Sequence, residues 1–404
     1  MVKLTEDQIQ YICSLILSSI PLWTIRRKNT SGKFSASESG YVDMHEALCA
    51  IKKHEQEPGI LLPGQKELLT SGHLLLEFYS EVAAQNNVPQ YPHTVKFDAL
   101  MEGIKSGIYP RINSIIPPVF GYPGAEQGGL IADNPKVRRF AVDLLVEALS
   151  YNLQLKQAGL GEGITIIWPA YMSLSAFDCG PDFLISNDFL MQSVQWQRFR
   201  DGIVQALQQV KVETEKEVTI HLEWKVNDPG LIDIIPTLFL AIQMASQINL
   251  QVGWEACFIN NEWAHCGLAG ISFNEATQRT IDANAFDRLV HVNVGTMHPI
   301  QLEEWLDDAF HPADWPALLD PDWPVGYGSP MLLQDQEEAI KTLVAYAIKT
   351  HNRIVLEHDV FHVPGIVSEE GSLYGNPGEN REPFQVLGPS VLAANAMVVK
   401  AING

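Results

Sequence analysis

The sequence predicts an α/β protein, with a parallel sheet covered by helices and closed as a (β/α)8 barrel. Three observations carry this. From residue 136 onward, short apolar runs alternate with amphipathic helical runs. The short runs are too apolar to leave one face in water, as in a parallel sheet covered on both sides. Five such strands lie in this later part, and the first 135 residues have room for three more. A chain of 404 residues holds two average domains or one large barrel with insertions, so length alone does not choose.

In chain order, the first 21 residues read as an amphipathic helix with acids where a signal peptide wants positive charge. Strands are expected at 20–25 and 112–116, and helices at 44–53 and 65–85. Between them, 59–62 and 94–97 compete for the second strand. A helix is expected at 136–158, with Phe140, Leu144, Leu145, Ala148 and Leu149 on one face, then a strand at 164–168. Helix 189–210, strand 218–225, helix 231–247 and strand 249–255 follow. Helix 273–286, strand 288–293, helix 335–351 and strand 353–358 complete the alternation. The polar segment 28–40 and the Pro/Trp-rich segment 298–330 read as insertions, the second one after the seventh strand. The expected division is a catalytic barrel over 1–365 and a short helical extension over 366–404 packing on it.

Composition narrows the partners. With 48 acidic and 27 basic residues the net charge is -21, which argues against nucleic acid or an anionic membrane as the main partner. Five scattered cysteines without a CxxC pair read as reduced thiols in a cytoplasmic protein. The most apolar span, 231–243, contains Asp233 and Pro236 and is too short to cross a bilayer.

The chemistry gathers at strand ends. The run Val218-Thr219-Ile220-His221-Leu222 stops at Glu223, with Lys225 two residues on. Charges ending an apolar strand are costly to desolvate and need a metal, a substrate or each other. Later strands end near Glu255 to Glu262, at His291, and at Glu357 to Asp359, and a parallel barrel gathers such ends around one axial pocket. Taken singly, a strand-end acid is a cap or turn former, His291 is a core histidine, and Lys225 can snorkel to the surface. Acids ending successive strands point instead to a hard or borderline divalent cation such as Mg²⁺ or Mn²⁺. Asp320-Pro321-Asp322 can add an Asp-x-Asp clamp.

These residues resemble a known family. Glu223-Trp224-Lys225-Val226-Asn227-Asp228-Pro229 is similar to the Glu-x-Lys strand end of xylose isomerases and L-rhamnose isomerases. Glu262-x-x-His265 before Leu268-Ala269-Gly270 resembles the xylose isomerase segment that bridges two metals. Leu22-Trp23-Thr24 resembles that family's first strand, Ile166-Ile167-Trp168-Pro169 its fourth, and Phe120 ahead of Gly128-Gly129 the aromatic of its third-strand loop. His291 departs from the aspartate of xylose isomerases but matches the His-x-Asn context of L-rhamnose isomerases.

The resemblance implies a TIM-barrel aldose–ketose isomerase using two divalent ions (Mn²⁺, Mg²⁺ or Co²⁺) and a 1,2-hydride shift on a free monosaccharide. It implies one metal on Glu223, Glu262, His291 and Asp359, and a second on Glu262, His265, Asp320 and Asp322. It implies that Lys225 meets the carbonyl oxygen, that Trp23, Phe120 and Trp168 wall the sugar, and that a second-strand histidine, for which His93 is the best placed, opens the ring. Glu255 competes with Glu262, and Glu357 with Asp359. The alternatives are a sugar epimerase or another isomerase on the same barrel, and a sugar-binding barrel without chemistry. A homo-oligomer, dimer or tetramer, is left open.

Overall fold

Among the described residues are nine short strands: β1 Ile16–Pro21, β2 Leu69–His73, β3 Arg111–Ile116, β4 Gly161–Ile164, β5 Ile166–Ile167, β6 Ile220–Glu223, β7 Cys257–Glu262, β8 Leu289–Val294 and β9 Arg353–His358. Their hydrogen-bonded order is β4-β3-β2-β1-β9-β8-β7-β6-β5, with parallel pairings. The two ends of that order, β4 and β5, are one run of chain broken only at Thr165. The order therefore returns to its start and amounts to the eight strands of a (β/α)8 barrel. The computed structural model describes residues 4–26, 40–118, 128–168, 191–225, 233–295, 324–326, 330–360 and 383–404. Most of the segments expected as insertions (28–40 and 298–330) and the start of the C-terminal extension lie outside the described residues.

Three expectations about strand position are corrected. The first strand is Ile16–Pro21, and Leu22–Ile25 forms a helical turn, so the N-terminal helix stops at Leu15. The second strand is Leu69–His73, within the stretch expected as helix; 59–62 and 94–97 form no strand, and only Glu81–Gln85 is helical there. Its hydroxyl-rich sequence hides it, because hydroxyls in a buried strand need their own acceptors. Thr70 Oγ1 finds one in the Ile20 carbonyl at 2.7 Å. The sixth strand is Cys257–Glu262, whereas the stretch expected to be strand belongs to the helix Leu238–Val252 and the turn after it. Gly253, at φ +83°, ends that helix in the left-handed conformation glycine favours. The Asn249 side chain then clips the strand's start, accepting from the backbone N–H groups of Ala256 (2.9 Å) and Cys257 (2.7 Å).

The chain divides into two units, one of 1–71, 102–111 and 261–404, the other of 72–101 and 112–260. The divide falls inside β2 after Ser71 and inside β7 after Asn260. In the first unit β1, β8, β9 and the end of β7 share one register, Glu262 facing Asn293, Asn293 facing Glu357, and Ser19 facing Glu357. Residues paired this way point to the same side of the sheet. The helices Glu6–Leu15, Pro330–Thr350 and Phe384–Asn403 pack with one another in this unit. Phe384–Asn403 is long and apolar enough to cross a membrane by length and composition. Its stripe of Leu387, Val391, Ala394, Val398 and Ile402 is buried within the protein instead.

In the second unit the helix Pro135–Gln157 holds the interrupted strand. Asn152 accepts from the Ile115 N–H and donates to the Ile115 carbonyl, both at 2.9 Å, and donates to Thr165 Oγ1 at 2.8 Å. One side chain thus ties β3 to the break between β4 and β5. Asn152→Ala strands two buried backbone groups of Ile115 and is expected to cost roughly 2–4 kcal/mol, read by urea unfolding. A loss below 0.5 kcal/mol would contradict this role.

Earlier on the same helix, Glu147 accepts from the Glu81 N–H (2.7 Å), from the Ser80 hydroxyl and from the Tyr151 hydroxyl (3.1 Å), capping a distant helix start. Burial pushes its carboxyl above the usual range despite these donors. A raised carboxyl favours the folded state at low pH and loses that contribution as pH rises through the raised value. The stability of the wild type relative to Glu147→Gln is therefore expected to fall as pH rises above the ordinary glutamate value of about 4.5. Thermal unfolding of both proteins across that range reads it, and a difference independent of pH would contradict it.

Candidate active site

The second unit presents a buried charged cluster. Along β6, His221 and Glu223 share one side while Ile220 and Leu222 take the other, by the two-residue period of a strand. Register sets His221 beside Phe258 and Glu223 beside Asn260. The Asn260 amide donates to Glu223 Oε2 at 2.7 Å, fixing that carboxylate. Lys225 Nζ lies 3.6 Å from Glu223 Oε1 and 4.9 Å from the centre of the Trp168 ring. The ammonium is buried, so the carboxylate and the aromatic face offset part of its desolvation.

Trp168 carries a second partner. His73, the last residue of β2, packs its ring 4.6 Å from that of Trp168. Its Nδ1 lies 2.9 Å from Glu77 Oε2, which also accepts from the His73 backbone N–H at 2.7 Å. The carboxylate holds the imidazole by one nitrogen and so fixes the ring's orientation. The barrel's second-strand histidine is thus His73. His93, expected in that place, lies exposed in the turn ahead of Val95 at φ +66°. Only the position of β2 distinguishes these two histidines, and its polar sequence conceals it.

In the first unit a second group lies along one register. Glu262 ends β7 and stands just ahead of the short helix Trp263–Leu268, so His265 comes back over it with Nδ1 3.1 Å from Glu262 Oε2. Trp263 stacks on Phe273 at 5.1 Å with the rings nearly parallel, which anchors the short helix. Glu262 and His265 are both buried, while Glu255 is exposed ahead of the strand. The acid at the strand end is Glu262.

His291 and Asn293 on β8 face Glu357 and Asp359 at the end of β9. Glu357 accepts from the hydroxyls of Ser19 (2.9 Å) and Ser71, with His291 Nε2 at 3.6 Å. Burial alone pushes its carboxyl up, but the charge of His291 and the hydrogen bonds outweigh this and hold it below the usual range. Asp359 accepts from Trp23 Nε1 at 2.8 Å, with Asn293 Nδ2 at 3.4 Å from its other oxygen. Trp23, expected as a wall, therefore acts here as a hydrogen-bond donor to an acid. Glu357 is tied to β1, β2 and β8 and reads as a framework acid that orients His291, while Asp359 lies beyond it at the strand's end.

Glu262, His265, His291 and Asp359 offer two carboxylates and two imidazoles in one unit, all buried. That donor set suits a divalent cation of hard to borderline character. Phe120, Asp320 and Asp322 lie outside the described residues.

No protein-family model matches the chain, and no curated protein matches it. Solved structures do. L-ribulose 3-epimerase superposes with a TM-score of 0.53 at 12% identity, over 95% of this chain and 93% of that one. D-psicose 3-epimerase from Clostridium cellulolyticum H10, solved with D-tagatose, gives 0.50 at 11% identity, over 96% and 100%. D-allulose 3-epimerase from Methylomonas sp., in complex with D-allulose, gives 0.50 at 10% identity, over 95% and 96%. What the chain shares with them is the fold, a barrel of parallel strands alternating with helices.

Proposed function

We propose that this chain is a divalent-metal-dependent isomerase of free monosaccharides that interconverts an aldose and a ketose. The observation that carries the reading is Lys225, a buried ammonium 3.6 Å from Glu223 and 4.9 Å above Trp168. An ammonium kept in so costly a place suits an oxygen that gains negative charge during reaction, as a sugar carbonyl does when hydride arrives at its carbon. Trp168 offers the sugar a flat apolar wall and keeps water from that oxygen. His73, oriented by Glu77, is the candidate to move the proton between ring oxygen and anomeric hydroxyl when the cyclic sugar opens.

Glu262, His265, His291 and Asp359 are the proposed metal ligands, and the family resemblance adds Glu223, Asp320 and Asp322. A divalent cation held by such residues supplies Lewis-acid polarisation of the sugar's oxygens. Trp23 holds Asp359, and Glu357 holds His291, so the donors keep their orientation without it.

A second reading, an epimerase, is favoured by the three epimerase barrels that share the fold. The two chemistries differ in where the migrating hydrogen goes. A hydride shift keeps the substrate's own hydrogen, while epimerisation through deprotonation exchanges it with solvent. Turnover of a panel of aldoses and ketoses in D2O, read by NMR, separates them. The proposal expects a C1/C2 isomer without deuterium at the receiving carbon. A product inverted at one carbon and deuterated there overturns it in favour of the epimerase.

A further inference from the structure

We infer a second binding site, for a small organic phosphate, in a recess of about 370 Å³ between the helices Pro135–Gln157 and Val194–Thr214. Arg138, Arg139 and Arg198 line it above a floor of Leu130, Val142 and Gly202. All belong to the second unit, and none takes part in the proposed sugar chemistry.

Three features point to an anion. The first is charge: in a chain carrying -21 overall, three guanidinium groups line one recess, and among its described lining residues the acid is Asp201. Asp201 is itself engaged by Arg200, at 2.8 Å. The second is how the arginines are partnered. Arg139 pairs with Asp143 and Arg198 with Asp133, but the hydrogen bonds of Arg138 go to the carbonyls of Ala132 and Asp133. Backbone carbonyls orient its guanidinium without neutralising it. The third is position. All three arginines lie in the first two turns of their helices, and neither helix has an acid in its first turn. Cations there oppose the helix dipole, and an anion in the recess relieves both helices at once.

The floor decides what else the ligand carries. Leu130 and Val142 are buried apolar side chains, and Gly202 brings the helix so close that a Cβ there would lie 2.9 Å from Leu130 Cδ2. A bare phosphate uses only the rim, while a phosphate monoester with a compact apolar body uses rim and floor together. Guanidinium forks suit a phosphate's several oxygens better than a carboxylate's two.

Titration calorimetry of the full chain with phenyl phosphate, inorganic phosphate and benzoate tests this. Saturable binding is expected for phenyl phosphate, at least fivefold weaker binding for inorganic phosphate, and weaker again for benzoate. Arg138→Gln and Arg139→Gln should each weaken phenyl phosphate binding by about tenfold, the loss of one charge-assisted contact. Arg139 is largely exposed and paired only locally, so that variant folds even if Arg138→Gln does not. Turnover of the sugar substrate should not change in Arg139→Gln. Absence of saturable binding to the wild type, or equal affinity in wild type and Arg139→Gln, overturns the assignment. Benzoate binding as tightly as phenyl phosphate overturns the phosphate class.

Discussion

Lys225→Met lowers kcat by roughly 10²–10³-fold, the usual loss when one donor to a developing oxyanion is removed. Methionine keeps most of the side-chain volume and removes the charge, so the pocket beside Trp168 stays filled. Glu223 keeps its 2.7 Å hydrogen bond from Asn260, so the carboxylate keeps its place. The loss should fall on kcat more than on KM, because the charge on the carbonyl oxygen grows mainly in the transition state. Steady-state kinetics alongside bound-metal analysis make the comparison. Undiminished kcat in a metal-loaded Lys225→Met protein would remove the proposed role of this residue.

The second large effect concerns the metal ligands. Glu262→Gln removes a buried carboxylate at the end of β7 whose neighbour His265 lies 3.1 Å away. Its affinity for Mn²⁺ should fall by more than about 100-fold, beyond the 10–100-fold typical of a residue that merely supports a ligand. Trp23→Phe should fall inside that smaller range, because it removes only the 2.8 Å hydrogen bond to Asp359. Calorimetric titration of stripped protein with Mn²⁺ reads both, independently of turnover. A Trp23→Phe protein that loses more affinity than Glu262→Gln would invert the assignment of ligand and support.

Much of the barrel was legible because buried parallel strands are written as apolar runs. Strands β3, β8 and β9 stand where the sequence puts them, as does the helix Pro135–Gln157. The exceptions share a cause. Leu69–His73 reads Leu-Thr-Ser-Gly-His, and its hydroxyls are satisfied by residues distant in sequence, which no local pattern reveals. The stretch before β7 looks extended, yet Asn249 and Gly253 make it a helix end and a turn.

The site shows the same division. Glu223 with Lys225 and Glu262 with His265 are close in sequence, so strand and helix-start geometry alone brings each pair together. Nothing local joins Trp23 to Asp359, or Ser19 and His291 to Glu357. Those contacts depend on β1, β8 and β9 being neighbours in register. His73 was hidden for the same reason as its strand.

In the proposed reaction a sugar is isomerised through a bound divalent ion. The direct measurement is turnover of the best aldose or ketose by protein stripped with chelator and then titrated with Mn²⁺, Mg²⁺ or Co²⁺, with bound metal counted on the same samples. Activity should be lost on stripping and return in step with the uptake of one to two ions per chain. Full turnover by stripped protein, or the failure of any of these ions to bind the wild-type chain, would contradict it.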